Sequence, residues 1–523
     1  MKRTKKRFLR VFLPLLLALT TVACALAGCS SRKDDASGGD EALRDNLYNI
    51  AGVEPYVKAD SGSKPDSNKF IENPFIDTSK QNISTFSADV DTASYALFRK
   101  TVNSWLSQKA NRQTILSALE KSALSFRTEE FLNYFRYDAN TPGENELFGT
   151  TVSILPCPWN PQNSLLRLTM QAPATTPTGG NNLVFLIDVS GSMSSSDKLP
   201  LLKTAFGYLT EQLTERDRVS IVIYSGEEKV VLEGCPGNEK QRILDAVNSL
   251  EAHGATNGEQ GLRKAYQLAA DWKIEGGNNR IIMASDGDLN VGISSKEELK
   301  AFVEGKRDNG IFLSVLGFGT GNYRDSNMEA LADNGNGVYY YIDGVSEAKK
   351  VFGTDLIGTL YTAAKDVKLQ LTFDPTYIAA YRQIGYENRQ LAREDFTDDT
   401  KDAGEVGAGH QVTVFYELTL TENATKADTP ADAKWMELAV RYKAPDGDVS
   451  KENTYTIGAA DRRGANADEE FMFCVIELTM LLHDSDYLPE DITYSSVLAK
   501  LKGLDLAPYT DRTEFRDLVK AIA

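Results

Sequence analysis

The sequence predicts an α/β unit with a doubly wound, mostly parallel sheet, inserted in a β-sandwich that carries N- and C-terminal helical segments. Over residues 181–357, short apolar segments alternate regularly with amphipathic helical ones, and residues 183–187 are apolar at every position. An unbroken apolar strand indicates burial on both faces, as in a parallel sheet between helix layers. On either side of this unit, apolar and polar residues alternate, which is typical of half-buried antiparallel strands.

The first 28 residues have the order of regions that is typical of a secretory signal peptide. Six basic side chains precede an apolar stretch over residues 11–23, which is short for a membrane span. The stretch ends in Leu-Ala-Gly-Cys at residues 26–29, which resembles the bacterial lipobox, where cleavage leaves a lipid-modified cysteine. We therefore expect a bacterial, extracytoplasmic protein anchored to the cell membrane by a lipid on Cys29. The alternative is an ordinary signal peptide with an incidental cysteine.

The charge of the chain argues against two kinds of partner. The first 28 residues hold six basic and no acidic side chains, so their removal would change the formal net charge from −17 to −23. Such a protein is repelled by nucleic acid and by anionic lipid headgroups. We expect no nucleic-acid partner, and a membrane association that depends on the lipid alone.

Composition and periodicity divide the rest of the chain into four segments. Residues 29–75 are rich in Ser, Gly, Asp and Lys and are expected to form a flexible tether. Residues 76–175 combine helical periodicity with two strands around a proline-rich turn, and are expected to form a helical and β region. The α/β unit covers residues 181–357. Residues 363–523 are expected to add sandwich strands, which pair with those near 152–170, and then helices.

Cysteine is sparse in this chain. Cys24 would leave with the signal, so Cys157, Cys235 and Cys474 remain beside the proposed anchor. The absence of a Cys-x-x-Cys pattern argues against zinc ribbons and thioredoxin-like chemistry. An odd number of remaining cysteines excludes complete pairing and leaves one long-range disulfide open.

Hard oxygen donors follow the first strand of the α/β unit. Asp188, Ser190 and Ser192 lie at its end, and Thr256 and Asp286 lie in two further segments at strand or helix ends. Ligands of such sheets bind beyond the carboxyl ends of the strands, and carboxylate and hydroxyl oxygens suit Mg²⁺ or Mn²⁺. The set is too small to fill an octahedron, so a partner's carboxylate can complete it. The alternative is a strand-end turn capped by Asp and Ser without a metal.

The order Asp-x-Ser-x-Ser, then Thr, then Asp-Gly on an alternating α/β unit resembles the metal-ion-dependent adhesion site of von Willebrand factor type A domains. The resemblance covers about residues 181–357. It implies that Asp188, Ser190 and Ser192 bind the cation, and that Thr256 and Asp286 complete the coordination shell directly or through water. It also implies a fold of the von Willebrand A type and a role in cell adhesion or another protein–protein interaction.

The flanking regions are similar to bacterial A-domain lipoproteins of the YfbK type. The similarity spans roughly residues 84–520. It is carried by Phe-Ser-Ala-Asp-Val-Asp-Thr-Ala-Ser-Tyr at 86–95, and by residues 129–135, 384–389 and 402–410. This similarity implies the domain architecture of the chain but says little about its biochemical function.

Two acidic groups in these flanking regions suggest other chemistry. Asp89 and Asp91 form one pair. A second group precedes His410 in a Gly-rich stretch, and consists of Glu394, Asp395, Asp398, Asp399, Asp402 and Glu405. A second cation site or an acid/base pair can be drawn from them. A solvated acidic loop with a structural histidine is favoured, because the spacing does not fit an EF-hand.

These observations predict a binding protein and not an enzyme. The chain lacks a Gly-x-Ser-x-Gly nucleophile elbow and a Gly-Lys-Ser/Thr phosphate loop. The expected partner is a protein that presents Asp or Glu to a bound Mg²⁺ (or Mn²⁺). Two alternatives stay open. One is a scaffold or assembly factor of an envelope complex with a structural metal. The other is a metal-dependent hydrolase, which would need a general base near Asp188.

Overall fold

The computed structural model describes residues 70–523 except 145, 175–178, 255–257, 288–295, 308, 320–324, 356–357, 359, 427, 446 and 448. The expected signal, the lipidation site Cys29 and nearly all of the expected tether lie outside the described residues. Thr256, one of the expected cation ligands, also lies outside them.

The described elements are numbered in chain order. The strands are β1 (Ile76–Asp77), β2 (Ile83–Ser87), β3 (Gly149–Pro156), β4 (Ser164–Gln171), β5 (Asn181–Asp188), β6 (Arg218–Tyr224), β7 (Glu228–Pro236), β8 (Asn278–Ser285), β9 (Phe312–Phe318), β10 (Tyr339–Ile342), β11 (Thr362–Phe373), β12 (Ile378–Ile384), β13 (Gly404–Gly407), β14 (Gln411–Leu420), β15 (Lys434–Lys443) and β16 (Ser450–Gly458). The helices are α1 (Ala93–Ser107), α2 (Arg112–Lys121), α3 (Thr128–Tyr134), α4 (Leu199–Gln212), α5 (Lys240–Asn248), α6 (Glu259–Asp271), α7 (Lys296–Arg307), α8 (Asp325–Asn334), α9 (Val345–Lys349), α10 (Glu422–Thr425), α11 (Ala467–Leu482), α12 (Tyr494–Gly503) and α13 (Thr510–Ile522).

The α/β unit is built on a six-stranded sheet. Its strand order is β10-β9-β8-β5-β6-β7, and all neighbours are parallel except β6 and β7. The central strand β5 is buried along its whole length. Its side chains alternate between two helix layers, since Phe185 packs against Phe206 of α4, whereas Leu186 joins the core with Leu262 of α6. Burial on both faces is the reason for the continuous apolar run, so the doubly wound sheet is confirmed.

Two antiparallel sheets form the sandwich around this unit. One has the order β1-β12-β14-β4-β3, and the other contains β13-β11-β15-β16 with β2 paired to β11. The α/β unit lies in the chain between β4 and β11, which belong to opposite sheets. The expected insertion in a β-sandwich is therefore confirmed. The pairing of β4 with β14 joins the two segments that sequence periodicity assigned to one sandwich.

The N- and C-terminal helical segments come together as one layer. Helices α1–α3 and α11–α13 share a second apolar core, which covers the outer face of the β4–β14 sheet. Leu165 and Phe415 face this helical core, whereas their neighbours Leu166 and Tyr416 face the sandwich interior. In the same layer, the Arg167 guanidinium pairs with the Glu469 carboxylate at 3.0 Å, and both side chains are buried. No helix among the described residues has the length and apolar character of a membrane span.

Buried ion pairs join the α/β unit to its surroundings. Arg99 of α1 donates to Asp343 at 2.7 Å and to Glu347 of α9 at 2.6 Å.

Arg389 donates to the acidic pair noted in the sequence, to Asp89 at 3.2 Å and to Asp91 at 3.3 Å. These two aspartates therefore have a structural cation partner.

Some local expectations differ from the structure. The sequence periodicity predicts a helix over residues 345–357, but the structure is α-helical only as far as Lys349 and continues as a π-helical turn, Lys350–Thr354. The same periodicity predicts sandwich strands over 367–373, 411–420 and 435–442, and the structure adds β12, β13 and β16 to them. The cysteines Cys157, Cys235 and Cys474 are buried free thiols, so the disulfide left open by the sequence does not form among them.

Candidate functional site

The candidate site lies at the carboxyl edge of the parallel sheet. Strands β5 and β8 are neighbours, and Ile187 stands opposite Ala284 in their register. The residues that follow, Asp188 on one strand and Ser285 on the other, therefore lie side by side. The edge position is the one that the sequence predicts for ligand-bearing residues.

The turn after β5 brings one carboxylate and three hydroxyls together. The backbone N–H of Ser190 donates to Asp188 Oδ1 at 2.8 Å, which folds the turn back on the carboxylate. The hydroxyls of Ser190 and Ser192 lie 3.0 Å apart. From the neighbouring strand, the Ser285 hydroxyl approaches Asp188 Oδ2 at 3.5 Å. Ser190 is buried and Ser192 is exposed, so this group of oxygens faces solvent on one side.

The turn is fixed to the segment that leads towards Thr256. Gly191 N–H donates to the carbonyl of Gly254 at 3.1 Å, and His253 N–H donates to the carbonyl of Val189 at 2.7 Å. Gly254 has a φ of +80°, a conformation that glycine adopts readily, and a Cβ there would lie 3.2 Å from the Ser225 hydroxyl. His253 thus shapes the loop through its backbone.

Asp286, the second aspartate of the pattern, has a partner that the sequence analysis missed. Lys198 Nζ lies 2.7 Å from Asp286 Oδ2, and both side chains are largely buried. Lys198 immediately precedes α4, and its stem packs against Gly319, whose φ is +77° and where any Cβ would collide with it. The sequence shows a lysine six residues beyond Ser192 but gives no sign that it reaches the second aspartate.

The Asp188 carboxylate differs from Asp286 in its electrostatics. Its side chain is 0% exposed, and no Lys or Arg of the described chain forms an ion pair with it. Burial, with a smaller contribution from the charge of Asp286, raises the pKa of Asp188 to about 6. A divalent cation at this edge would neutralise a carboxylate that now depends on hydrogen bonds alone. The oxygen donors present therefore fit a hard cation such as Mg²⁺.

Comparison with protein families matches almost the whole described chain. Residues 182–354 match the model described as von Willebrand factor type A domain, and residues 358–523 match the model described as the C-terminal region of uncharacterized protein YfbK. Residues 63–167 match a model described as von Willebrand factor.

Individual proteins agree with the family models. The chain is 36% identical over 443 residues to uncharacterized protein YfbK of Escherichia coli K12, which covers 80% of this chain and 74% of that protein. Inter-alpha-trypsin inhibitor heavy chain H3 of Homo sapiens is 31% identical over 174 residues, or 31% of this chain and 19% of that protein.

Among solved structures, a von Willebrand factor type A protein from Catenulispora acidiphila aligns over 71% of this chain and 81% of its own, with 16% identity and a TM-score of 0.39. The extent and identity of the match to the Escherichia coli protein, together with the family models, place the chain in a known group. It belongs to the YfbK-type family of von Willebrand factor type A domain proteins.

Proposed function

We propose that this chain is a lipid-anchored, extracytoplasmic protein that binds a protein partner through a divalent cation at the carboxyl edge of its α/β sheet. Asp188, Ser190, Ser192 and Thr256 would hold Mg²⁺ (or Mn²⁺), and Asp286 would orient a bound water. An Asp or Glu of the partner would complete the octahedron. Domains of this family commonly take part in protein interaction or adhesion, which agrees with the proposal.

One observation carries the proposal: a fully buried carboxylate, with no cationic partner among the described residues, lies beside a pair of hydroxyls of which that of Ser192 belongs to an exposed residue. Asp188 supplies the charge, and the hydroxyls of Ser190 and Ser192 supply neutral oxygens. A cation held by few charged ligands keeps much of its own charge. It therefore attracts one more carboxylate strongly, which suits reversible binding of a partner.

We propose a non-enzymatic role for the same edge. Its nearest histidine in the sequence, His253, has its ring nitrogen Nδ1 2.8 Å from the carbonyl of Glu251. His410 and His483 are buried, and the ring of His483 bonds to the carbonyl of Phe126 at 2.7 Å. These contacts give His253 and His483 structural partners, and neither of them is a contact with Asp188.

The proposal is tested by crosslinking on living cells that express the wild type or Asp188→Ala. We expect the wild type to capture a partner in Mg²⁺ and to lose it in EDTA, and the variant to capture none in either condition. Asp197→Ala is the matched control, because Asp197 lies in the following loop and pairs with Lys100 at 2.9 Å instead of joining the oxygen group. Capture by Asp188→Ala that equals the wild type would overturn the cation-dependent mechanism.

Anchoring is tested separately by feeding cells an alkyne-tagged fatty acid. The wild type should take up the label and sediment with membranes. Cys29→Ser should remain unlabelled, whereas Cys24→Ser should retain the label, because the resemblance places the modified cysteine at the end of the box. Labelling of Cys29→Ser at the wild-type level would refute the anchor.

A further inference from the structure

A second group of acidic side chains lies where the α/β unit meets the sandwich. The group consists of three residues, each with one carboxylate oxygen within 4.8 Å of those of the other two. They are Asp366 of β11, Asp402, which precedes β13, and Glu405 of β13. We call this group the seam cluster. Two of its members belong to the acidic stretch for which the sequence favoured a solvated loop, and the third comes from a strand some 40 residues earlier.

The pairing of β11 with β13 brings the three side chains together. Val367 stands opposite Gly404, and the register shifts between Ala364 and Val367. Asp366 lies in this irregular stretch with a φ of +52°, and its Oδ1 accepts the N–H of Ala403 at 3.2 Å. The shift turns Asp366 towards the chain that leads into β13.

Two resident cations balance part of the charge. Arg307, at the end of α7 in the α/β unit, lies 2.6 Å from Asp402 Oδ2. Lys443 of β15 lies 2.7 Å from Asp366 Oδ2. Each of these contacts uses one oxygen of an aspartate. Two cations are thus shared among three acidic groups, and neither of these two contacts involves Glu405.

Glu405 provides an independent sign of a missing ligand. Its side chain is only 7% exposed, and its Oε1 has no hydrogen-bond partner among the described residues. A buried carboxylate oxygen without a donor is costly. Burial, together with the charges of Asp402 and Asp366, raises the pKa of Glu405 well above its usual value. A carboxylate oxygen of Glu405 lies within 4.8 Å of oxygens of the two aspartates, so a cation among them would give this buried group a partner.

We propose that Asp366, Asp402 and Glu405 bind Ca²⁺ and so join β11 to the chain that leads into β13. The three oxygens lie within 4.8 Å of one another, and Ca²⁺, with Ca–O distances of about 2.3–2.6 Å, accepts the flexible geometry of such a set more readily than Mg²⁺, which demands a near-ideal octahedron. Asp402 and Asp366 line a cleft of about 680 Å³, from which water can supply the remaining ligands. This inference does not depend on the proposed function, because none of the three residues belongs to the edge of the parallel sheet.

Calorimetric titration of the metal-stripped protein with CaCl₂ tests the site. The titrations use the Asp188→Ala background, so that binding at the sheet edge cannot contribute. We expect one Ca²⁺ per chain with a Kd of about 10⁻⁴–10⁻³ M, since the resident cations already neutralise much of the cluster. Glu405→Gln should weaken binding roughly tenfold or more. Asp399→Asn should leave it unchanged, because Asp399 pairs with Arg441 and Ser450.

Thermal unfolding separates loss of the site from loss of the fold. The Glu405→Gln chain should unfold in EDTA at or above the temperature of its parent, because the substitution replaces a buried acidic group with a neutral amide of nearly the same shape. Added Ca²⁺ should then raise the unfolding temperature of the parent and leave that of Glu405→Gln unchanged. The absence of Ca²⁺ binding by the parent, or equal binding by Glu405→Gln, would overturn the proposal.

Discussion

The sheet edge and the seam cluster are both acidic, yet they differ in how their charges are balanced. At the edge, the buried carboxylate of Asp188 has hydroxyl neighbours, whereas that of the neighbouring Asp286 is paired with Lys198. At the seam, three carboxylates share Arg307 and Lys443. A cation bound at the edge would remain electrophilic and available to a partner, whereas one at the seam would be surrounded by protein charge. The donor set thus separates a recognition site from a structural one.

The largest expected effect is that each region controls the binding of a different ion. Asp188→Ala should weaken Mg²⁺ binding roughly 100-fold, because it removes the charged ligand at the edge. Glu405→Gln should change Mg²⁺ binding less than about twofold while it weakens Ca²⁺ binding. Parallel calorimetric titrations of both variants with both ions measure this. If each variant affected both ions equally, the distinction between the regions would be wrong.

The comparison can be sharpened with Glu129, a buried acid of α3 in the helical layer. Burial, reinforced by the charge of Asp89, raises the pKa of Glu129 to about 7. The folded state therefore binds this proton more tightly than the unfolded state, and stability falls as the pH rises from about 4.5 to 7. Glu129→Gln should raise stability by about 3 kcal/mol at pH 8 and by less than about 1 kcal/mol at pH 5. Thermal unfolding at the two pH values measures the difference.

Glu469 is the matched control for Glu129. It is equally buried, but hydrogen bonds from Arg463, Asn466 and Arg167 outweigh burial and lower the pKa of Glu469. Glu469→Gln should therefore destabilise the protein at both pH values, because it leaves Arg167 without its charged partner. A Glu129→Gln variant that lost stability at pH 8 would show that the negative charge itself is needed there.

The smallest expected effect concerns Lys198. Its ammonium lies on Asp286 and repels a divalent cation at the same edge. Lys198→Met keeps the apolar stem and removes the charge, so Mg²⁺ affinity should rise roughly tenfold, or about 1.4 kcal/mol. Lys203→Met is the control, since Lys203 lies one turn further along α4 and donates to the carbonyls of Asn248 and Leu250. Equal gains in both variants would indicate a general effect of charge.

The fold is largely predictable from the sequence, because strands buried on both faces of the α/β sheet appear in the sequence as continuous apolar segments. The sequence also placed Asp188, Ser190 and Asp286 at one edge of a sheet, which follows from the direction of parallel strands. Strand β16 escaped prediction for a physical reason. It lies at the edge of its sheet and most of its residues are exposed or half-buried, so it lacks a strong apolar alternation.

Long-range partners could not be predicted from the sequence. Lys198 is 88 residues from Asp286, and Asp366 is 77 residues from Lys443. Neither pairing has a local signal, because both depend on how complete elements pack. The acidic stretch at 394–405 shows the same limit, since only Asp402 and Glu405 meet a third acid there.

The position of the α/β unit between β4 and β11 also has a consequence for how the chain is made. Strand β2 can pair with β11 only after about 275 further residues have been synthesised, and β4, which pairs locally with β3, meets β14 only after about 240. The inserted unit, with its local parallel connections, can assemble during that interval. During this interval the early strands have unpaired edges, which favour aggregation. We therefore expect the chain to depend on holding chaperones during its synthesis more than a protein whose domains follow one another in tandem.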